Sequence, residues 1–480
     1  MNFRFVAFML SRLFFAYSAI LLVPLFAAIF YDNDNIVTFA GSMAIPMVIG
    51  VVLQWFGRRQ RGHMNVRDAV FIVAVGWIAI CFLGALPYFI GIPRLSFITC
   101  LFESTSMWTT TGASTFVSVK TLPVSFMVLR TFGHWCGAVG VIMLFSLLIP
   151  SMKSGSDFIL GAELPGRGLE RTMPKMRQSV LVILGIFLAV NITEVVLLLC
   201  GGMNFWEALN MAMATAATGG LSFYHDGYIN FANNYIWGVC LLFMFLGAVN
   251  FTLWFKLLKK DWQGIKEDPE HRYFLLVVLV AVALLAVNLW DRNYCDGGSA
   301  VAKALEMGLS CLSTSGFLFD NISNWPEFSQ LLLIFLMLIG GCSASAAGGL
   351  KIIRVVIIVK ALWAELRSIL HPNLVYTVNY GGRVLKPEIV QTVVKFFFLY
   401  LLMFTGLVLA ASLSGLCLRE AFVMVASCMS SVGCGIGSLE QGYSSANDFT
   451  RLVATLAMLF GRLEFTTLLA VCHFDFWRNN

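Results

Sequence analysis

Four short runs in this 480-residue chain share a composition with a chemical use: Thr110-Thr111-Gly112-Ala113-Ser114, Ala217-Thr218-Gly219-Gly220, Thr314-Ser315-Gly316-Phe317 and Ser431-Val432-Gly433-Cys434-Gly435. Glycine leaves φ and side-chain volume unconstrained, so neighbouring carbonyls can close on a ligand while Thr or Ser hydroxyls brace the loop from behind. A ring of backbone carbonyls of this kind replaces the hydration shell of a potassium ion. The candidate ion-binding residues are therefore Thr110, Thr111, Gly112, Thr218, Gly219, Thr314, Ser315, Gly316, Ser431, Val432 and Gly433. Any one run also reads as an ordinary turn at a helix end. Four of them, anchored at glycines 112, 219, 316 and 433, read as an internal repeat. Competing chemistries find little support. There is no H-E-x-x-H and no Walker lysine loop, and the six histidines are scattered singly. The twelve cysteines show no C-x-x-C pair and suit free thiols packed as small hydrophobes. A polytopic membrane enzyme would need paired carboxylates or a Ser/His/Lys set at matched depth, and the intramembrane acids are few and unpaired.

The elements that must position these runs are membrane spans. Hydrophobic residues make up 59% of the chain and charged residues only 12%, with a mean hydropathy of +0.82. Soluble domains carry roughly 25% charged residues, so this chain cannot coat several soluble cores. A span needs about 20 apolar residues, and stretches of that kind fall at 8–30, 38–56, 69–91, 124–150, 179–200, 235–258, 273–290, 331–350, 392–413 and 452–473. Four shorter apolar stretches, 97–109, 204–216, 300–313 and 418–430, are too short to cross and lead into the four runs, as re-entrant helices would. An acidic residue, Glu103, Glu207, Glu306 or Glu420, is expected near the start of each, where the helix dipole favours it.

Lys and Arg crowd the loops 57–68, 151–178, 256–272 and 351–395, whereas the alternate loops hold only Arg94, Lys120, Arg292, Lys303, Arg419 and Arg451. The positive-inside rule then places both termini in the cytoplasm and the re-entrant stretches on the outer side. The net charge of +6 follows from this topology and gives no reason to invoke nucleic acid. The N-terminal apolar stretch lacks a small-residue cleavage site and reads as a retained span. The predicted fold is all-α: four pseudo-repeats of span, pore helix, filter turn and span around one central pore, preceded by two extra N-terminal spans. Its units are 1–60, the extra spans; 61–150, repeat 1; 151–258, repeat 2; 259–370, repeat 3 with an intramembrane loop; and 371–480, repeat 4.

With those four turns, the run from Gly340 to Lys351 (Gly340-Gly341-Cys342-Ser343-Ala344-Ser345-Ala346-Ala347-Gly348-Gly349-Leu350-Lys351) and Gly461-Arg462-Leu463-Glu464, the sequence resembles the Trk/Ktr/HKT superfamily of cation transporters. The extra N-terminal spans and the length match its bacterial TrkH type. The resemblance covers essentially the whole chain. It implies a potassium-uptake subunit of the bacterial inner membrane, a homodimer with one pore per protomer, and a TrkA-like cytosolic nucleotide-binding regulatory subunit as partner. No cofactor in the chain itself is implied, and potassium is the substrate. Glycine at all four filter positions goes with potassium preference in that family, whereas serine at the first goes with sodium in part of the plant branch. A sodium-selective or H+- or Na+-coupled symporter of the same fold remains the alternative.

The resemblance also marks a gate. Gly340, Gly341, Ser343, Ser345, Gly348, Gly349 and Lys351 belong to the intramembrane loop, and Arg462 is the pore arginine. This run is richer in Ala than the family pattern, at Ala344, Ala346 and Ala347. Read without the resemblance, its small residues also permit close helix packing. Arg462 in an apolar span, at a cost of about 2.5–3.5 kcal/mol, equally suits a salt bridge to Glu464 or snorkelling. Glu194 with Asn191, and Arg130 with His134, are further intramembrane polar groups for which structural roles are expected.

Overall fold

A computed structural model of the chain describes residues 1–57, 65–116, 122–148, 176–220, 233–292, 294–343, 345–371, 377–440, 442–463 and 465–478. The described residues are overwhelmingly helical, and the fold is all-α. The N-terminal helices are α1 (Phe3–Ile20), α2 (Leu22–Tyr31) and α3 (Ile36–Gly57). Repeat 1 follows with α4 (Val66–Gly91), the short α5 (Phe97–Trp108) and α6 (Val124–Leu148). Repeat 2 comprises α7 (Met176–Cys200), the short α8 (Phe205–Ala216) and a bent pair, α9 (Asn234–Ala248) and α10 (Phe251–Leu258). After α11 (Trp262–Lys266), repeat 3 runs through α12 (Pro269–Asp291), the short α13 (Gly297–Leu312), α14 (Glu327–Ile339) and α15 (Ile352–Leu370). A hairpin of β1 (Asn379–Tyr380) and β2 (Arg383–Val384) leads into repeat 4. That repeat holds α16 (Pro387–Ser412), the short α17 (Leu418–Met429), α18 (Asp448–Arg462) and α19 (Phe465–Cys472), closed by α20 (Phe474–Trp477).

The short helix of each repeat has 12, 12, 16 and 12 residues in turn, about 18–24 Å at 1.5 Å per residue. Each is too short to cross a hydrocarbon core of about 30 Å. Ser96 caps the first by accepting the Thr99 amide at 3.2 Å, and Cys417 with Glu420 forms a capping box on the fourth. The acidic residues do not all sit at helix starts. Glu207 and Glu420 lie in a first turn, whereas Glu103 and Glu306 lie well inside α5 and α13 and serve as hydrogen-bond acceptors rather than dipole charges.

Three of the expected spans are broken. The stretch 235–258 bends by 101° between α9 and α10, where the Asn250 side chain starts the second helix by accepting the Thr252 amide at 2.9 Å. The stretch 331–350 is helical only to Ile339, because Gly340 takes φ +70°. The third, 452–473, divides at Arg462 between α18 and α19. Apolarity continues across all three breaks, so hydropathy sees single spans where the backbone turns. The basic segment 351–395 is likewise built around α15 and the hairpin rather than being all loop.

The extra N-terminal helices brace repeat 1. Tyr17 packs on Trp108 at the end of α5, with ring centroids 5.7 Å apart. The Asp32 carboxylate accepts the Ser125 amide at the start of α6 at 2.7 Å. A larger apolar core joins repeats 3 and 4 and takes in Phe102 of repeat 1 and Ala248 of repeat 2. Val37, Trp55, Leu279, Val287, Leu402 and Leu409 face outward and exposed, as residues against lipid do.

Candidate functional site

The four turns repeat one backbone geometry. The first residue after each short helix's cap is left-handed although it carries a side chain: Thr110 (φ 56°), Thr218 (49°), Thr314 (55°) and Ser431 (57°). Two residues on, a glycine is left-handed again: Gly112 (79°), Gly220 (60°), Gly316 (70°) and Gly433 (85°). The residue between donates its amide five residues back, Thr111 to Ser106, Gly219 to Ala214, Ser315 to Ser310 and Val432 to Ser427, at 2.9–3.0 Å. This register corrects one sequence assignment. Gly220, not Gly219, is the second-repeat counterpart of Gly112, Gly316 and Gly433, and Gly219 matches Thr111, Ser315 and Val432.

The turns also meet one another. A Cβ on Gly112 would lie 2.1 Å from the Gly219 carbonyl oxygen, one on Gly220 2.3 Å from that of Ser315, one on Gly316 1.7 Å from that of Val432, and one on Gly433 2.1 Å from that of Thr111. Each repeat's glycine thus abuts a carbonyl of the next, and the fourth returns to the first. The ring is closed, and only glycine permits its spacing. Gly219 is glycine for another reason: its Cβ would strike His134 Nδ1 at 2.2 Å.

Hydroxyls complete the ring. Thr109 pairs with Thr111 and Ser313 with Ser315, Oγ to Oγ at 2.8 Å, bracing turns 1 and 3. Thr110 Oγ1, Thr218 Oγ1 and Ser431 Oγ are buried without a hydrogen-bond partner among the described residues. Their counterpart, Thr314 Oγ1, accepts the Gly348 amide at 2.8 Å. Backbone carbonyls and hydroxyls of the kind these four turns bring close together are the ligands a dehydrated monovalent cation needs. Among the described residues no group of His, Cys, Asp and Glu could hold a metal ion.

Residues 340–351 form a looped segment against this ring. Its neck is closed by Leu350 donating to Leu338, Lys351 to Ile339 and Ile352 to Gly341, at 2.9–3.1 Å. Gly340, Gly349 and Lys351 are left-handed at the neck. At its tip a Cβ on Gly348 would lie 2.2 Å from the Ser430 carbonyl oxygen, so the segment touches turns 3 and 4 directly. Two cations hold consecutive carbonyls of the loop: Lys351 Nζ donates to Ala347 O and Arg462 Nη1 to Ala346 O at 3.1 Å. Arg462 Nε and Nη2 are buried and unpartnered among the described residues. Ala344 and Glu464, the alternative partner of Arg462, lie outside the described residues. Ser345 Oγ donates to Cys342 O at 2.6 Å. Ser343 donates to Glu270 through both its amide, at 2.6 Å, and its hydroxyl, at 2.7 Å.

Glu270 and Asn250 take part in this site, and sequence reasoning missed both. Glu270 follows Pro269 at the start of α12, where an acid reads as a dipole charge. The available signal was Asn250, a polar residue within an apolar stretch, which marks the bend. The remaining intramembrane polar groups make contacts within the protein. Glu103 pairs with Arg130 at 2.7 Å, both buried, and accepts the hydroxyls of Thr115 at 2.7 Å and Ser114 at 3.1 Å, fixing the chain that leaves turn 1. Glu194 is held by Thr215, and Asn191 donates to Phe187 O at 3.0 Å.

Four short helices whose turns meet in a closed circuit inside a multi-pass membrane protein have the architecture of a membrane transporter. Comparisons with known proteins agree with that class. The family model described as "TrkH: Cation transport protein" matches residues 36–473. The potassium uptake protein TrkH of the Trk system of Salmonella typhimurium is 31% identical over the whole of both chains. The Trk system potassium uptake protein TrkG of Escherichia coli K12 is 28% identical over 99% of each. The crystal structure of the potassium transporter TrkH from Vibrio parahaemolyticus superimposes with a TM-score of 0.89 at 30% identity, covering all of both chains. The chain belongs to the TrkH family of cation transport proteins. It is a transporter rather than an enzyme.

Proposed function

We propose that this protein takes up potassium ions across the bacterial inner membrane through the ring of four turns, acting as a channel-like conductor. The observation that carries the reading is the closed circuit of glycine-to-carbonyl contacts, 112 to 219, 220 to 315, 316 to 432 and 433 to 111. Such a circuit holds backbone oxygens at a spacing that side chains would disrupt, and oxygens so held can replace a hydration shell. The names of the relatives, potassium uptake proteins of Trk systems, support potassium as the ion. In this reading residues 110–112, 218–220, 314–316 and 431–433 form the filter, and the units 61–150, 151–258, 259–370 and 371–480 are the four pore repeats.

The loop 340–351 is the gate. It lies against turns 3 and 4, and Lys351 and Arg462 pin adjacent carbonyls of it while placing positive charge on the ion's route. At roughly 6 Å and an effective dielectric of about 20, one such charge opposes a cation by about 3 kcal/mol. Opening therefore requires the loop and its cations to move together. The motor is external: a cytosolic nucleotide-binding subunit of TrkA type acting on a homodimer, with both termini cytoplasmic as the Lys and Arg distribution supports.

The test is rubidium-86 uptake into potassium-loaded liposomes carrying the purified protein, with external potassium, sodium or choline as competitor. Uptake abolished by potassium alone is the expected result. Equal competition by sodium would overturn the ion assignment in favour of a sodium-selective or coupled transporter.

A further inference from the structure

The gate loop is held at its entry by a residue from outside the ring. Glu270, buried in the first turn of α12, receives three donors: the Ser343 amide at 2.6 Å, the Ser343 hydroxyl at 2.7 Å and Asn250 Nδ2 at 3.3 Å. Asn250 stands at the 101° bend between α9 and α10, and the backbone on both sides of this contact is tied as well. Cys342 donates to Ala248 O at 3.0 Å and Ala346 to Gly247 O at 3.3 Å. Glu270 thus bonds both the loop and the bend.

Its own support comes from the basic, surface-facing corner between α10 and α12. Asp268, two residues before it, caps α12 through the His271 amide at 3.2 Å and pairs with Lys256 of α10 at 3.4 Å. Lys256 also donates to Gly264 O in α11 at 3.1 Å. Gly381, in the turn of the β1–β2 hairpin, lies over Pro269, where a Cβ would meet the proline ring at 3.1 Å. A displacement of this corner therefore moves Glu270, and Glu270 is bonded to the loop rather than merely packed on it.

We propose that Glu270 is a positioning residue for transport, a catch through which the α10–α12 corner keeps the loop seated against the filter. The proposal rests on the reading of 340–351 as the gate. Releasing the catch unseats the loop even without a regulator. Loss of one hydrogen bond to a charged acceptor corresponds to about a ten- to hundredfold change in the loop's equilibrium, and uptake rises by up to that factor.

The experiment compares E270Q, S343A and R462A with the wild type in liposomes without regulator, scoring rubidium uptake per folded protein after size-exclusion selection. A second readout is labelling of a cysteine introduced by S345C, alone and with E270Q, using a membrane-impermeant thiol reagent and the S345-retaining protein as background. The expected result is raised uptake for E270Q and S343A, faster labelling of S345C with E270Q, and restoration of low uptake by E270D. If R462A raises uptake while E270Q and S343A leave uptake and labelling unchanged, the catch is overturned and the gate stands. If none of the three raises uptake, the gate reading falls and the catch with it. A purely structural Glu270 would lower the yield of folded E270Q without changing uptake or labelling per folded molecule, which also overturns the proposal.

Discussion

Gly219 and Gly220 are adjacent, both glycine and equally eligible by sequence, yet the structure gives them different tasks. Ala at 220 meets two penalties. A left-handed backbone costs an L-residue roughly 1–2 kcal/mol, and at φ +60° Gly220 has that backbone. Its Cβ would also lie 2.3 Å from the Ser315 carbonyl oxygen, where contacts under 3.0 Å are essentially never seen, so the ring must open there by about 0.7 Å, the difference between the two. The backbone term alone shifts the balance between intact and distorted ring by about 5- to 30-fold. Ala at 219 has no φ penalty, and the atoms its Cβ meets first belong to the His134 ring, the nearest at 2.2 Å. G220A should therefore lose discrimination between potassium and sodium in the liposome competition assay, and no substitution at 134 should restore it. G219A should be impaired too but recover substantially when combined with H134A, which removes the obstructing ring. The reasoning is refuted if G220A keeps wild-type discrimination, or if H134A rescues G220A as well as it rescues G219A.

Further substitutions test the gate and the scaffold. Neutralising Arg462 removes a repulsion of about 3 kcal/mol at roughly 6 Å and the bond to Ala346 O, so R462Q should raise rubidium flux by up to about a hundredfold; unchanged flux in folded protein would remove Arg462 from the ion's route. Breaking the buried Glu103–Arg130 pair leaves one charge uncompensated and should cost about 3–5 kcal/mol. Thermal unfolding in detergent should show E103Q and R130Q each strongly destabilised, with the double variant less so than the two effects added.

Much of this was legible in the chain because membranes impose simple rules. Apolar runs long enough to cross had to be helices, since lipid offers no partner for a bare backbone, and that requirement determined the all-α class. Short apolar stretches ending at Gly with Thr or Ser, recurring four times, marked the re-entrant turns for the same reason: backbone at that depth must be enclosed by protein. No single run, 314–316 or 431–433 included, was distinguishable from an ordinary turn by composition; the fourfold recurrence was the signal. Arg462 was legible by itself, because its charge inside an apolar run demanded compensation.

Tertiary structure decided what depends on pairs distant in sequence. Which of two adjacent glycines must lack a side chain to pack on the next turn is settled by the Ser315 carbonyl beside Gly220 and the His134 ring beside Gly219, and neither neighbour is visible from the run Ala217–Gly220. That the stretch ending near 350 stops at Ile339 and returns as a loop is settled by left-handed Gly340 and by its seat on turns 3 and 4. Glu270 carried no signal at all, because its significance lies in Ser343, which reaches it only once α12 and the loop are packed together. Hydropathy and local composition act over one or two turns of helix and so determined the elements. The register of the ring and the anchoring of the loop arise from contacts under 4 Å between segments far apart in the chain, which exist only in the folded protein.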